Sequence, residues 1–100
     1  PVGAIKALLD HTEISLSNVA FIELMEAYAA QAIICTRLCD LDLDKVNIRG
    51  GALSRGHPIG ASGAILVVRL FNELIKTPGA SGMAAIAAAG GIGSAMMLKS

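Results

Sequence analysis

His57 is the residue in this chain best placed to do chemistry, and it sits in a run of unusual composition. The run is Asn47-Ile-Arg-Gly-Gly-Ala-Leu-Ser-Arg-Gly-His-Pro-Ile-Gly-Ala-Ser-Gly63. Pro58 disfavours helical backbone at the residue before it, so the imidazole is expected on an extended segment just ahead of an apolar helix. Gly60, Ser62 and Gly63 then fall at that helix's N-terminal end, where free N–H groups and the helix dipole favour an anion or a developing oxyanion. By its parts this is a reaction-site loop. Two other sets of residues are weaker. Asp40, Asp42 and Asp44 alternate with leucines, but a calcium loop needs a glycine after the third acid and a glutamate at its twelfth position, and Gly51 stands there. A solvated connection is the better reading. Cys35 and Cys39 lie four apart on an expected helix, which is poor geometry for a disulfide and half of a zinc site, so buried free thiols and a cytoplasmic setting are expected.

The Asn47–Gly63 run resembles the second signature of the thiolase family (Asn-x-x-Gly-Gly-x-aliphatic-small-x-Gly-His-Pro-x-Gly-x-Ser/Thr-Gly) and meets each of its fixed positions. Ile86-Ala-Ala-Ala-Gly-Gly-Ile-Gly93 is similar to a further signature, Cys-x-Gly-Gly-Gly-x-Gly, and Met25-Glu-Ala-Tyr28 is similar to Asn-Glu-Ala-Phe. The resemblance runs from Pro1 to Ser100 and corresponds to the C-terminal part of a thiolase. Without it, a lone His-Pro step fits a histidine that only hydrogen-bonds within a glycine loop. A phosphate loop at Gly56–Gly63 is ruled out in its usual form, because no lysine falls in that stretch.

The elements that must hold these residues follow from periodicity. Val2, Ile5, Leu8 and Leu9 predict a short amphipathic helix, followed by a polar loop over residues 10–18. Val19–Glu23 reads as a buried strand and Met25–Leu38 as a helix whose inner stripe is Ala27, Ala30, Ile34 and Leu38. Val46–Ile48 reads as a short strand. Ala61–Ile75 is apolar on nearly every side, with only Arg69, Asn72 and Glu73 as a polar edge, so a second layer or second chain is expected over it. Met83–Ala88 and Ser94–Leu98 are strands joined in an antiparallel pair across glycines. The order predicts an α/β fold, a layered mixed sheet with parallel strands and a terminal antiparallel hairpin. Residues 1–100 are taken as one thiolase C-terminal domain, incomplete at its N-terminal edge. The resemblance further implies a first strand missing from the middle of the sheet.

Composition sets limits on partners. Zero formal net charge and 3% aromatic content leave little to bind or stack on nucleic acid. The stretch Met83–Leu98, 16 residues long, is too short and too rich in glycine to span a membrane.

The resemblance implies an acetyl-CoA acyltransferase that moves acyl groups between thioesters by cleavage or Claisen condensation. The coenzyme A thioester is a substrate; no covalently bound cofactor and no metal is implied. His57 takes the role of nucleophile activation and oxyanion donation, while the nucleophilic cysteine belongs to an N-terminal thiolase half. Gly56, Ala89 and Gly90 line the substrate, and Tyr28 supplies an aromatic wall. Ala87 stands at the position of the acid/base cysteine, and a methyl group has no proton to exchange. Met25 replaces the asparagine that orients a water, which a thioether cannot hold comparably. With Arg49 and Ala89 these departures imply a diverged thiolase, impaired alone. The partners implied are acyl-CoA, the N-terminal half and a second copy in a homo-oligomer. A non-catalytic module that binds acyl-CoA or a protein is the alternative.

Overall fold

The computed structural model describes residues 1–100. Helix α1 (Val2–Thr12) leads through a single 3₁₀ turn into strand β1 (Val19–Leu24), followed by α2 (Ala29–Leu38) and a short α3 (Ala52–Arg55). The long helix α4 (Ile59–Leu74) then returns the chain to strands β2 (Ser81–Ala88) and β3 (Ile92–Lys99). The sheet order is β1-β2-β3, parallel between the first two and antiparallel between the last two. Side chains alternate across it. Met83 and Ala85 face one cluster with Ile5 of α1 and Cys35 of α2, while Ala84 faces Leu66, Leu70 and Leu74 of α4 on the other side. A register shift between Val19 and Phe21 lets Val19 and Ile22 share a face, although an odd spacing would otherwise part them. The result is three layers, α/β/α.

The expected vacancy in the middle of the sheet is not there. β1 pairs directly with β2, from Val19 opposite Ser81 to Leu24 opposite Ala85. The far edge of β1 is covered by the stretch near Val46, where Ile22 N–H donates to Lys45 C=O at 2.9 Å and Asn47 N–H donates to Ile22 C=O at 2.8 Å. The strand expected at Val46–Ile48 shrinks to a single bridge between Ile22 and Val46, because Asn47 has φ 48° and turns the chain out of the extended region.

Two helices differ from expectation. α2 begins at Ala29, since Met25 still belongs to the ladder and donates its N–H to Ala85 C=O at 2.8 Å. Its inner residue is Cys35, whereas Ile34 and Leu38 are more than half exposed. The helix Ala29–Leu38 carries apolar residues on all sides, so its pattern did not favour one face. α4 is covered on one side only within this chain: Leu66, Leu70 and Leu74 are buried, but Ile59, Val68, Phe71 and Ile75 face outward. Both cysteines are buried free thiols. No helix is long and apolar enough to cross a membrane.

Candidate functional site

Parallel pairing puts the carboxyl ends of β1 and β2 at one end of the molecule, and α4, which packs on both, carries the chain back between them. The N-terminus of α4 therefore meets the strand ends. In α/β sheets this is where ligands bind. Met25 follows β1, Ala87 lies near the end of β2, and His57 precedes α4, so the sheet gathers three separated sequence positions at one end. Met25, Gly56 and Ser62 line one small hollow there.

The histidine's hydrogen bonds define its state. His57 Nδ1 lies 2.6 Å from Ser62 Oγ, and Ser62 Oγ donates to Pro58 C=O at 2.9 Å. A serine hydroxyl has one proton. With that proton given to Pro58, Ser62 can only accept from the ring, so the neutral imidazole carries its hydrogen on Nδ1 and presents Nε2 as a lone-pair base. The tautomer is thus assigned from the hydrogen-bond network. Ser62 is itself buried and fixed in the first turns of α4, while the His57 ring reaches solvent. Gly56, with φ 100° and ψ 167°, reorients the chain between α3 and His57 through a region open essentially to glycine alone.

The loop ahead of His57 is held from the end of β1. Asn47 accepts from Leu24 N–H at 2.8 Å through Oδ1 and donates from Nδ2 to Leu24 C=O at 2.9 Å. Its side chain thus completes the ladder that its own backbone cannot continue. Glu26, expected in the first turn of α2, instead accepts from Leu53 N–H at 3.2 Å and lies against Gly51, where any side chain would collide with its carboxylate. Glu23 is 3% exposed and bound by Arg69 Nε at 3.1 Å. Burial pushes its carboxyl above the usual glutamate range, with the Arg69 hydrogen bond opposing. Arg49 donates to Glu73 at 3.0 Å, and that bond holds the Glu73 carboxyl below its usual range.

The remaining expected positions divide. Met25 is 2% exposed and packed among Ala52, Leu66 and Leu70, so an apolar side chain fills the place where a water-binding amide was expected. Ala87 is half-buried opposite Gly93 of β3, and Ala89 and Gly90 lie exposed in the hairpin turn. Tyr28 stands at the head of α2 and is 72% exposed, so its ring meets solvent rather than a cleft within this chain. The contacts made by Asn47, Glu23, Glu26 and Arg69, and the partnership of Ser62 with the ring, were missed in the sequence. One signal was available: Glu23 interrupts an apolar run and so had to be buried with a partner.

An α/β layer with a Gly-His-Pro step at the head of its long helix defines a thiolase-type half. The family model for "Thiolase, C-terminal domain" matches residues 1–100. The chain belongs to the thiolase family. It is similar to the acetyl-CoA acetyltransferase of Pseudomonas aeruginosa, 41% identical over 98 residues, which cover 98% of this chain and 25% of that protein. Among solved structures it is similar to the peroxisomal 3-ketoacyl-CoA thiolase of Saccharomyces cerevisiae, described as five-layered α-β-α-β-α and built from two core domains of identical topology. There the TM-score is 0.91 at 36% identity, covering 97% of this chain and 28% of that one. The Acat5 thiolase of Ascaris suum, solved in complex with coenzyme A, gives a TM-score of 0.93 at 38% identity over 99% of this chain and 25% of that one. The chain thus spans about a quarter of the length of the relatives it matches.

Proposed function

We propose that this chain acts as the C-terminal part of a thiolase-type acetyl-CoA acyltransferase, in which acyl transfer survives and chemistry at the α-carbon is impaired. The observation that carries this reading is the oriented imidazole, with Nδ1 held 2.6 Å from Ser62 Oγ, which on the assigned tautomer leaves Nε2 as the base. In the proposed step, Nε2 takes the proton of a cysteine thiol supplied by an N-terminal half. The thiolate attacks the acyl-CoA carbonyl, the carbon–sulfur bond to coenzyme A breaks, and the leaving thiolate recovers the proton from His57. The protonated ring also donates to the thioester oxygen, and Gly56, Ala89 and Gly90 line the substrate beside it, with Tyr28 as an outer wall. Cleavage or formation of the α-carbon bond needs a further proton carrier at position 87. Ala87 offers none, a loss on the order of 10²–10⁴-fold.

The same proposal includes the second half as a partner. Two separate three-layer domains would stack as six layers, whereas the yeast relative has five, so one helix layer is shared there. In this chain α4 is the only helix on its side of the sheet besides the short α3, and it leaves Val68, Phe71 and Ile75 exposed. A second core domain would cover that face. A homo-oligomer and a cytoplasmic setting belong to the same proposal.

Burial of Met25 in an apolar cluster favours a second reading, a thiolase-like module that binds acyl-CoA or a partner without turnover. Labelled coenzyme A separates the two. Joined to a cysteine-bearing N-terminal half, the chain is expected to exchange label into acetyl-CoA while cleaving acetoacetyl-CoA poorly, and His57→Ala should abolish the exchange. Exchange that is absent, or unaffected by His57→Ala, would leave only the binding module.

A further inference from the structure

We infer that the buried Glu23–Arg69 pair is a positioning device for the His57 loop: Glu23 aims the Arg69 guanidinium so that its far nitrogen holds the Gly50 carbonyl. Arg69 Nε donates to Glu23 Oε2 at 3.1 Å, and Arg69 Nη2 donates to Gly50 C=O at 2.8 Å. Arg55 Nη2 reaches the same carbonyl at 3.4 Å. One planar group therefore bridges a strand side chain and a loop carbonyl with a fixed fork, whereas a lysine's ammonium is a compact charge on a flexible stem and fixes no such geometry.

The consequence lies in where the loop is anchored. Residues 50–58 leave α4 at Arg69 and return to it at Ile59, ten residues or about 15 Å nearer its start. Within this span stand α3, the turn at Gly56 and His57. Gly50 has φ 81°, a conformation that most residues resist, so the backbone that offers this carbonyl to Arg69 is one glycine permits. Holding that carbonyl fixes one end of the span, and Pro58 fixes the other. The ring's approach to Ser62 depends on both. Glu23 is hydrogen-bonded to Arg69 and not to the ring, and its burial inside an otherwise apolar strand is explained by this role. The inference rests on His57 as the reactive group of the site, but its test reads the loop itself.

The test uses amide hydrogen exchange and ¹⁵N spectra of the histidine rings in the full chain. Only two histidines are present, and His11→Gln separates their signals. Arg69→Lys should speed exchange at Leu53, Ser54 and Gly56 by about ten- to hundredfold, the worth of a hydrogen bond from a charged donor. Exchange at core amides such as Met25 and Asn47 should stay near wild type. The His57 ring should shift from a single Nδ1–H tautomer towards a mixture. Glu23→Gln keeps an oxygen for Arg69 Nε and should leave both readouts near wild type. If Arg69→Lys does not fold, the double variant Glu23→Gln/Arg69→Met serves in its place, with the same loop response expected. Unchanged loop exchange and an unchanged ring spectrum in the folded variant, or acceleration uniform across the chain, would overturn the inference. Neither result depends on whether thioesters are turned over.

Discussion

Replacing Asn47 with alanine is expected to cost more than any other single change in the site loop. Asn47 is 9% exposed, and its side chain satisfies both Leu24 N–H and Leu24 C=O, at 2.8 and 2.9 Å. Leu24 is 1% exposed, so no water replaces the lost partner. Each orphaned backbone group costs about 1–3 kcal/mol, together about 2–6 kcal/mol. Asn47 also holds φ 48°, which alanine tolerates less well, adding about 1 kcal/mol. Against a net stability of roughly 5–15 kcal/mol for a domain of this size, that is a large fraction. A kilocalorie moves the melting temperature of such a domain by about 4–8 °C. Urea denaturation and thermal melting both measure it. Asn47→Gly separates the parts, because glycine removes the side-chain bonds without the strain at positive φ. A loss below about 0.5 kcal/mol in Asn47→Ala, the range of a surface change, would refute the claim that this amide completes the ladder.

Further predictions follow from the carboxylates. Gly51→Ala should push the Glu26 carboxylate off Leu53 N–H, and Glu26→Ala should relieve the collision. The double variant should therefore be more stable than the sum of the single losses, by about 0.5–3 kcal/mol in a denaturation cycle. Glu73 is held below its usual range in the fold, so its contribution is present above the ordinary glutamate range and disappears as pH falls through the lowered value. Glu73→Gln should be less stable than wild type near neutrality and equal to it in strong acid, read as urea midpoints across pH. Glu23 has the opposite sign. Raised by burial, it binds its proton more tightly folded than unfolded, so it weakens the fold as pH rises through its raised value, and Glu23→Gln should remove that decline.

The alternation of elements and the Gly-His-Pro run were legible in the sequence because they depend on local rules. Pro58 sets the backbone of His57, glycines mark the hairpin turn, and α4 shows as a helix apolar on nearly every side with one polar edge. What was not legible depends on partners far apart in the chain. Val46–Ile48 has strand composition, yet one residue at positive φ ends the strand, and only the distant Leu24 explains why an asparagine stands there. Met25 follows the ladder instead of opening α2 because Ala85 accepts its N–H, a pairing that no local pattern encodes. The inner face of α2 was misjudged because Ile33, Ile34 and Leu38 are as apolar as the buried Cys35. The polar edge of α4 was visible, but not that Arg69 reaches across to Glu23 and Gly50.

Under the proposed function an oriented His57 survives while the proton carrier at position 87 does not. The most direct test is the rate of acetoacetyl-CoA cleavage by the assembled protein, with Ala87→Cys compared to wild type. A rise on the order of 10²–10⁴-fold is expected, with labelled coenzyme A exchange into acetyl-CoA little changed. Cleavage by the wild-type chain as fast as by Ala87→Cys would contradict it.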